Sequence, residues 1–211
     1  MRWSRSASSV AGLDGPWREA EYCVVDLETT GLDLRSDVII SVGSVLVRQG
    51  RLVWSTREYQ PVRPGRPISE SAMTVHGLRA QDLAEAPGIE EVADRLRQRL
   101  EGRVLVAHAA WVEQAFLGRA VPGWRRARPV VVDTAALMRA TGAAPSGTGH
   151  EPDLEDSALG LGLCVHTPHH ALGDALTTAE IFLAMASRLE RRDPGLTART
   201  LVETSRRHTG T

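Results

Sequence analysis

The sequence predicts one mixed α/β domain whose sheet is covered by helices on both faces. Three β-type runs at 21–28, 37–48 and 51–60 follow one another with short connections, which indicates an antiparallel meander. Strands and helices alternate afterwards, and strands joined through helices pair in parallel. A chain of 211 residues, of which 42% are hydrophobic, is long enough to bury one core.

The elements after the meander are predicted from the spacing of apolar residues. They are helices at 68–76 and 89–100, a strand at 103–107, a helix at 110–120, a strand at 129–132, and helices at 134–141, 154–161 and 171–188. A Gly/Pro/Ser loop from Gly142 to Pro152 interrupts the pattern, and its length is typical of functional or mobile loops. The two added strands bring the predicted sheet to five.

Both ends of the chain lack this pattern. Residues 1–20 are rich in Ser, Gly, Arg and Ala, and we expect a flexible lead-in to a domain over 21–190. Residues 191–211 are polar and predict a tail or a loose terminal helix. No apolar run approaches the ~18 residues of a membrane span, and Met1–Ser6 lacks the apolar stretch of a secretory signal.

The composition excludes several classes of protein. All 25 basic residues are arginine, which excludes a Walker-type phosphate loop, a lysine Schiff base and a kinase-type ATP lysine. The net charge of −1 argues against a protein that coats duplex DNA through a broad positive field. Cys23 and Cys164 lie far apart without a CxxC pair, so a reducing cytoplasm fits best.

Two carboxylates stand at the end of the first predicted strand. Because side chains alternate along a strand, Asp26 and Glu28 share one face while Val25 and Leu27 point to the other. Acids this close repel each other and are costly to desolvate unless a cation lies between them, and Mg²⁺ or Mn²⁺ is the natural partner. The alternative is that both acids lie past the strand end in solvent.

Two further segments carry ionisable residues where the chain enters a helix. His169 and Asp174 flank the start of the last predicted helix and converge only if His169 lies in the loop before it. His108 and Glu113 follow the strand at 103–107. For both segments the alternative is structural, because an acid in a first helical turn compensates the helix dipole.

In this order the segments resemble the three motifs of the DEDDh 3′-5′ exonucleases, the family that includes bacterial proofreading subunits, RNase T and oligoribonuclease. The matching residues are Asp26, Glu28, Thr29, Thr30, Gly31, Leu105–His108, Glu113, His169, Ala171 and Asp174. Further likenesses lie at Ile68, Ala72, 75–78, 86–87 and 132–134. The resemblance therefore spans about residues 21–188.

The second motif departs from the family pattern His-Asn-x-x-Phe-Asp. The stretch from His108 to Glu113 reads HAAWVE, so the asparagine and phenylalanine are lost and the aspartate becomes glutamate. If the carboxylate acts through water, as the family implies, repacking absorbs the extra methylene. If its placement is tight, an error of about 1 Å costs on the order of 100-fold in rate.

The resemblance implies an RNase H-like fold with a mixed five-stranded sheet, and a two-metal hydrolase. Asp26, Glu28 and Asp174 would hold two divalent ions, Mg²⁺ or Mn²⁺. Glu113 would complete the metal shell, and His169 would take a proton from the attacking water. The expected reaction releases nucleoside 5′-monophosphates from single-stranded 3′ ends, with DNA favoured over RNA.

The family also implies contacts to the terminal nucleotide. They involve the backbone at Thr29, Thr30 and Gly31, Leu32 as a wedge against the base, and His76. From the residues alone, Trp111 and Trp124 are candidates for base stacking, although tryptophan more often lies in a core. Arg125, Arg126 and Arg128 are expected near the site, as a phosphate contact or a solvated loop. His170 competes with His169 as the base.

Two other functions stay open. An RNA-trimming or short-oligonucleotide exonuclease would carry the same motifs, and a non-catalytic nucleic-acid-binding or partner-binding module would lose divalent-ion stabilisation. Residues 188–211 hold no glutamine or aromatic residue that suggests a polymerase-binding or clamp-binding segment, so we prefer a stand-alone nuclease. Such a partner and the oligomeric state remain open.

Overall fold

A computed structural model describes residues 10–144 and 151–209. In chain order, the strands and α-helices of this part are β1 (Tyr22–Thr29), β2 (Ile39–Arg48), β3 (Arg51–Pro61), α1 (Glu70–His76), α2 (Ile89–Leu100), β4 (Val104–Ala107), α3 (Trp111–Ala120), α4 (Trp124–Ala127), β5 (Val131–Asp133), α5 (Thr134–Thr141), α6 (Leu154–Gly160), α7 (Ala171–Arg192) and α8 (Ala198–His208). Of the predicted loop Gly142–Pro152, residues 145–150 lie outside the described part.

The five strands form one mixed sheet in the order β3-β2-β1-β4-β5, as predicted. β1 to β3 pair antiparallel, while β4 pairs parallel with β1 and β5 pairs parallel with β4. Because β1, β4 and β5 run in one direction, their carboxyl ends meet at the same edge of the sheet. The acids of the first motif lie near the end of β1 and the acid of the second motif follows β4, and we call this edge the catalytic edge.

The sheet separates two apolar cores, which explains why β1 is buried on both faces. Val24 packs with Val106 and with Phe182 of α7 on one face. Val25 on the opposite face packs with Leu105 and the helices α2 and α3. Alternation along one strand therefore directs Asp26 and Glu28 to the face that α7 covers.

A close contact between α7 and β2 sets the height of the helix above the sheet. A Cβ atom added to Gly43 would lie 2.0 Å from the Ala171 carbonyl oxygen. Only glycine leaves room for this contact, and Gly43 pairs with Asp26 across the strands. The first turn of α7, which carries Asp174, is thereby held above the acids of β1.

Both ends of the described chain pack more firmly than the sequence suggests. Trp17 is fully buried and contacts Phe182 edge-on at 6.0 Å, and the Tyr22 hydroxyl donates to the Trp17 carbonyl at 2.7 Å. Residues 10–20 are therefore not a flexible lead-in, while residues 1–9 lie outside the described part. In the predicted tail, α8 buries Leu201 and Val202 and packs on α5. None of the described helices has the length and apolarity of a membrane span.

Candidate active site

Three carboxylates converge at the carboxyl end of β1. Asp26 and Glu28 come from the strand and Asp174 from the first turn of α7, and one oxygen of each lies within 4.8 Å of the others. None of them forms an ion pair with an arginine among residues 10–144 and 151–209. The cluster, called the carboxylate trio below, therefore has no arginine partner in this part of the chain.

Burial raises the pKa of each member of the trio, and the charges of neighbouring acids add to this effect. Burial is the main cause for Asp26, whose pKa lies well above its usual value, and the charges of Glu113, Asp174 and Glu28 add to it. Burial and Asp174 raise the pKa of Glu28 to about 7. Burial raises the pKa of Asp174 to about 6, against a lowering by the charge of His169.

These carboxylates are a fitting set of ligands for a hard divalent cation. Carboxylate oxygens are the donors that Mg²⁺ and Mn²⁺ prefer. A cation would stabilise the ionised carboxylates against the burial and repulsion that raise their pKa values. The alternative that Asp26 and Glu28 merely lie in solvent past the strand is not supported, since both are partly buried within β1.

Glu113 lies beside the trio and is more deeply enclosed. Its side chain is 5% exposed, and Oε2 has no hydrogen-bond partner among the described residues. Burial, with a smaller contribution from Asp133, raises its pKa to about 8. Its charge raises the pKa of Asp26 in turn. Glu113 thus acts on the trio electrostatically, although it is not one of the three clustered ligands.

Asp133 is a buried acid to which we assigned no role from the sequence. Its Oδ1 accepts backbone N–H groups of Ala109, Ala135 and Ala136 at 3.1, 2.9 and 3.4 Å. It therefore caps α5 and also fixes the turn that leads from β4 towards α3. Its Oδ2 is buried without a partner among the described residues. An Asp-Thr pair at a helix start is a recognisable capping signal, but the link to the β4–α3 turn is a long-range contact.

The β4–α3 turn is strained at the position where the family has asparagine. Ala109 has a φ of 52°, a left-handed conformation that asparagine and glycine tolerate better than alanine. Next to it, His108 lies between the Thr134 hydroxyl at 2.9 Å and the Pro152 carbonyl at 2.7 Å. Because a carbonyl only accepts, Nε2 of His108 carries the proton, and this histidine holds the turn rather than entering the site.

His169 lies in the loop that enters α7, which is the condition for its convergence with Asp174. Its φ is 55°, its side chain is 53% exposed, and Nε2 lies 3.4 Å from Glu155 Oε1. His170 is placed differently, since its ring stacks on Tyr59 with centroids 4.3 Å apart. The geometry therefore favours His169 over His170 as the histidine free to meet a substrate.

A pocket of about 450 Å³ adjoins the trio. Its lining includes Glu28, Thr29, Gly31, Leu32, Val75 and His76. Leu32 is 87% exposed at the rim. His76 accepts the Leu78 N–H at Nδ1, so Nε2 carries the proton and donates to the Thr29 carbonyl at 3.3 Å. The pocket gathers four of the five residues predicted to contact substrate.

Thr30 is the fifth, and it does not line the pocket. Its hydroxyl donates to Asp37 at 2.7 Å, its N–H donates to the Val38 carbonyl, and its carbonyl accepts the Ser69 N–H. These bonds occupy its polar groups inside the loop. Thr30 therefore shapes the pocket wall instead of approaching a sugar.

Two other expectations need correction. Trp124 is buried in the α2–α3 core and cannot stack a base, whereas Trp111 is 48% exposed at the start of α3. The arginines 125, 126 and 128 follow the far end of α3, which runs about 15 Å away from the catalytic edge. They are not near the trio, because α3 begins at the catalytic edge and carries the chain towards the other ends of the strands.

DEDDh-type exonucleases on an RNase H-like fold are the class of protein that these features define. The features are the mixed sheet, the trio on its central strand and α7, and the histidine in the loop before that helix. The chain belongs to the RNase_T exonuclease family, whose model matches residues 23–182. Comparison with known proteins thus confirms the resemblance and the predicted fold.

Two curated relatives illustrate the family. A DNA polymerase III subunit epsilon-like protein of Rhodobacter capsulatus is 37% identical over 185 residues, which cover 86% of this chain and 26% of the relative. A PolC-type DNA polymerase III of Thermotoga petrophila is 34% identical over 84% of this chain and 13% of the relative. The chain therefore spans about a quarter or less of these relatives.

Solved structures agree on the fold. Exonuclease X in complex with 5′ overhanging duplex DNA has a TM-score of 0.67 and 26% identity, covering 87% of this chain and 99% of that one. E. coli Exonuclease I in complex with a dA16 oligonucleotide has a TM-score of 0.67 and 16% identity, covering 82% of this chain and 41% of that one. The second likeness concerns the fold alone.

Proposed function

We propose that the protein is a metal-dependent 3′-5′ exonuclease that releases nucleoside 5′-monophosphates from single-stranded 3′ ends, with DNA as the favoured substrate. The observation that carries this proposal is the carboxylate trio, with which no arginine of residues 10–144 and 151–209 pairs, directly beside a pocket of about 450 Å³. The names of relatives, which are DNA polymerase III proteins, and the DNA bound to Exonuclease X favour DNA over RNA.

Asp26, Glu28 and Asp174 would hold two divalent ions, Mg²⁺ or Mn²⁺, with Glu113 next to them. Such ions neutralise the phosphate and the leaving oxygen and make water a better nucleophile at neutral pH. Bound cations would favour the ionised form of Glu113, and its negative charge behind Asp26 would then strengthen cation binding without a fourth clustered ligand. Because the sequence has no lysine, no lysine ammonium group can neutralise the phosphate in place of the divalent ions.

His169 is proposed to accept a proton from the attacking water at Nε2. The ring is half exposed, so it can turn between Glu155 and the space above the trio. Histidine suits this step because a neutral imidazole has a free nitrogen lone pair that can take up the proton of water. The loop that carries it is fixed, since the His166 N–H donates to the Thr177 hydroxyl at 3.0 Å.

The terminal nucleotide is proposed to occupy the pocket beside Glu28. Leu32 and Val75 are exposed apolar side chains at its rim and would contact the base. The backbone of Thr29 and Gly31 would approach the sugar. His76 would act chiefly by holding the Thr29 carbonyl, and burial lowers its pKa, so it stays neutral at physiological pH.

The test is degradation of 5′-labelled single-stranded DNA and matched RNA in Mg²⁺, Mn²⁺ or chelator, with Asp174→Asn as control. We expect a ladder that shortens from the 3′ end, requires metal and is absent in the variant. Faster shortening of RNA would favour the RNA-trimming alternative. No shortening of either substrate would contradict the proposal, and a non-catalytic module would be the better description if metal also failed to stabilise the protein.

A further inference from the structure

We propose that a second, smaller pocket at the β5 side of the catalytic edge binds the nucleotide immediately 5′ to the scissile phosphate, by stacking its base on Trp111 and pairing a phosphate with Arg206. This inference rests on the proposed exonuclease function. It identifies where a single strand leaves the active site, and it gives a role to α8, a helix at the C-terminal end of the described chain.

The pocket lies between α3, β5 and α8 and has a volume of about 100 Å³. Trp111, Gln114, Asp133 and Arg206 are among its lining residues. Trp111 presents about half of its surface to solvent at the first position of α3. An exposed indole beside an open pocket is a stacking platform that accepts any base.

Arg206 supplies positive charge without a partner of its own. It is exposed in the last turn of α8 and forms no ion pair or hydrogen bond with a residue of the described part. Its neighbour Arg207, by contrast, donates to the Glu203 carbonyl at 3.3 Å. An unpaired arginine next to an exposed indole matches the alternation of phosphate and base along a single strand.

The position relative to the trio gives the direction of the strand. Glu28 lines the pocket that we assign to the 3′-terminal nucleotide, and so does Ala72 of α1, which packs on Ile40 of β2. The pocket beside Trp111 is lined instead by Asp133 of β5, on the other side of β1. The two pockets thus flank the trio on opposite sides. β5 lies two strands from β1, or about 10 Å, a distance that one or two nucleotides of an extended strand can cover.

Asp133 does not oppose a phosphate at this place as strongly as a free carboxylate would. Its Oδ1 accepts three backbone N–H groups, and its Oδ2 is buried away from the surface. The exposed charge at the mouth of the pocket is therefore that of Arg206. We accordingly place the phosphate at the mouth and the base against Trp111.

The test compares two short DNA strands that differ only in the nucleotide 5′ to the scissile bond, which is intact in one and a tetrahydrofuran abasic residue in the other. We expect kcat/KM of the wild type to favour the intact strand about tenfold, since stacking on an aromatic side chain is worth that much or more. Trp111→Ala should reduce this ratio to within twofold of one, and Trp111→Phe should keep part of it.

Trp54→Ala is the matched control, because Trp54 is equally exposed but lies on the edge strand β3. It should retain the tenfold ratio. Arg206→Gln should raise KM for both strands and weaken its salt dependence, whereas Arg207→Gln should change KM less. A wild-type ratio near one, or a ratio that survives in Trp111→Ala, would overturn the inference. Failure to cleave either strand would instead overturn the proposed function.

Discussion

The two halves of the site are built in different ways. The half formed by β1 and α7 presents three carboxylates to a space that solvent can reach, and none of them has an arginine partner in the described chain. The half formed by β4 and α3 buries Glu113 next to Asp133 and holds its turn with hydrogen bonds to the protein itself. The sequence departs from the family pattern only in this second half.

The difference shows which half depends on a ligand. Repulsion within the trio is relieved only by protons or a cation, so this half needs a bound cation when its carboxylates are ionised. In the second half, protein hydrogen bonds fix the turn, and Glu113 influences the trio through its charge. Substitutions in the first half should therefore affect catalysis most, and substitutions in the second half should affect stability.

The strongest test of this division compares Asp174→Asn with Glu113→Gln. We expect Asp174→Asn to lower kcat by about 1,000-fold or more, because a clustered metal ligand is lost. Glu113→Gln should lower kcat by only about tenfold, since it removes a charge behind Asp26. Steady-state kinetics on single-stranded DNA at saturating Mg²⁺ measures both, and equal losses would show that Glu113 is a ligand of the same rank.

The next prediction concerns stability of the metal-free protein as a function of pH. The folded pKa values of Glu28 and Asp174, about 7 and 6, lie above their unfolded values. Their favourable contribution is therefore complete below about pH 4 and is lost as pH rises towards 8. In chelator, we expect each of these two groups to lower the free energy of unfolding by about 3 kcal/mol over this range, and Mg²⁺ or Mn²⁺ should restore it at pH 8.

A double variant, Glu28→Gln with Asp174→Asn, is the control in denaturant titrations. Burial lowers the pKa of His108, which changes stability in the opposite sense as pH falls, and this contribution is common to both proteins. The difference between wild type and variant therefore isolates the trio. A variant that responds to metal as the wild type does would place the cation elsewhere.

The trio could be predicted from the sequence because its placement depends on patterns between residues that are close in the chain. Strand alternation places Asp26 and Glu28 on one face, and a loop position for His169 follows from its distance to Asp174. The interaction of Glu113 with Asp133 depends instead on the pairing of β4 with β5, which sets Ala107 opposite Asp133. No short-range pattern encodes that register.

The tryptophans illustrate the same limit. Trp111 and Trp124 are equal candidates in the sequence, but Trp124 lies in the four-residue helix α4, which is too short to show a periodic pattern. Trp17 likewise has no large apolar residue within three positions on either side, and its burial depends on contact with Phe182 in α7. Burial of isolated residues is decided by distant partners, so composition alone assigned the first segment to a flexible lead-in.

The half formed by β4 and α3 is tested by the effect of Glu113 on the free energy of unfolding, which we expect to increase with pH. Because the folded pKa of Glu113 is about 8, its carboxyl group is largely protonated below pH 7 and becomes an unpaired buried charge above pH 8. Glu113→Gln should therefore stabilise the metal-free protein by about 2 kcal/mol at pH 9 and by much less at pH 6. Chemical denaturation at the two pH values measures this, and a pH-independent difference would contradict it.

The smallest effect is expected at Ala109, where the backbone of the second half is strained. With φ at 52°, Ala109→Gly or Ala109→Asn should stabilise the protein by about 1 kcal/mol, because both residues adopt the left-handed conformation at lower cost. The N–H that donates to Asp133 is kept in both variants. Ala110 has ordinary right-handed angles and a buried methyl group, so Ala110→Gly should destabilise instead, by about 1 kcal/mol, because that methyl group is lost from the core. If both glycine variants destabilise equally, the turn stores no strain, and the loss of the family's asparagine has left this half of the site unaltered.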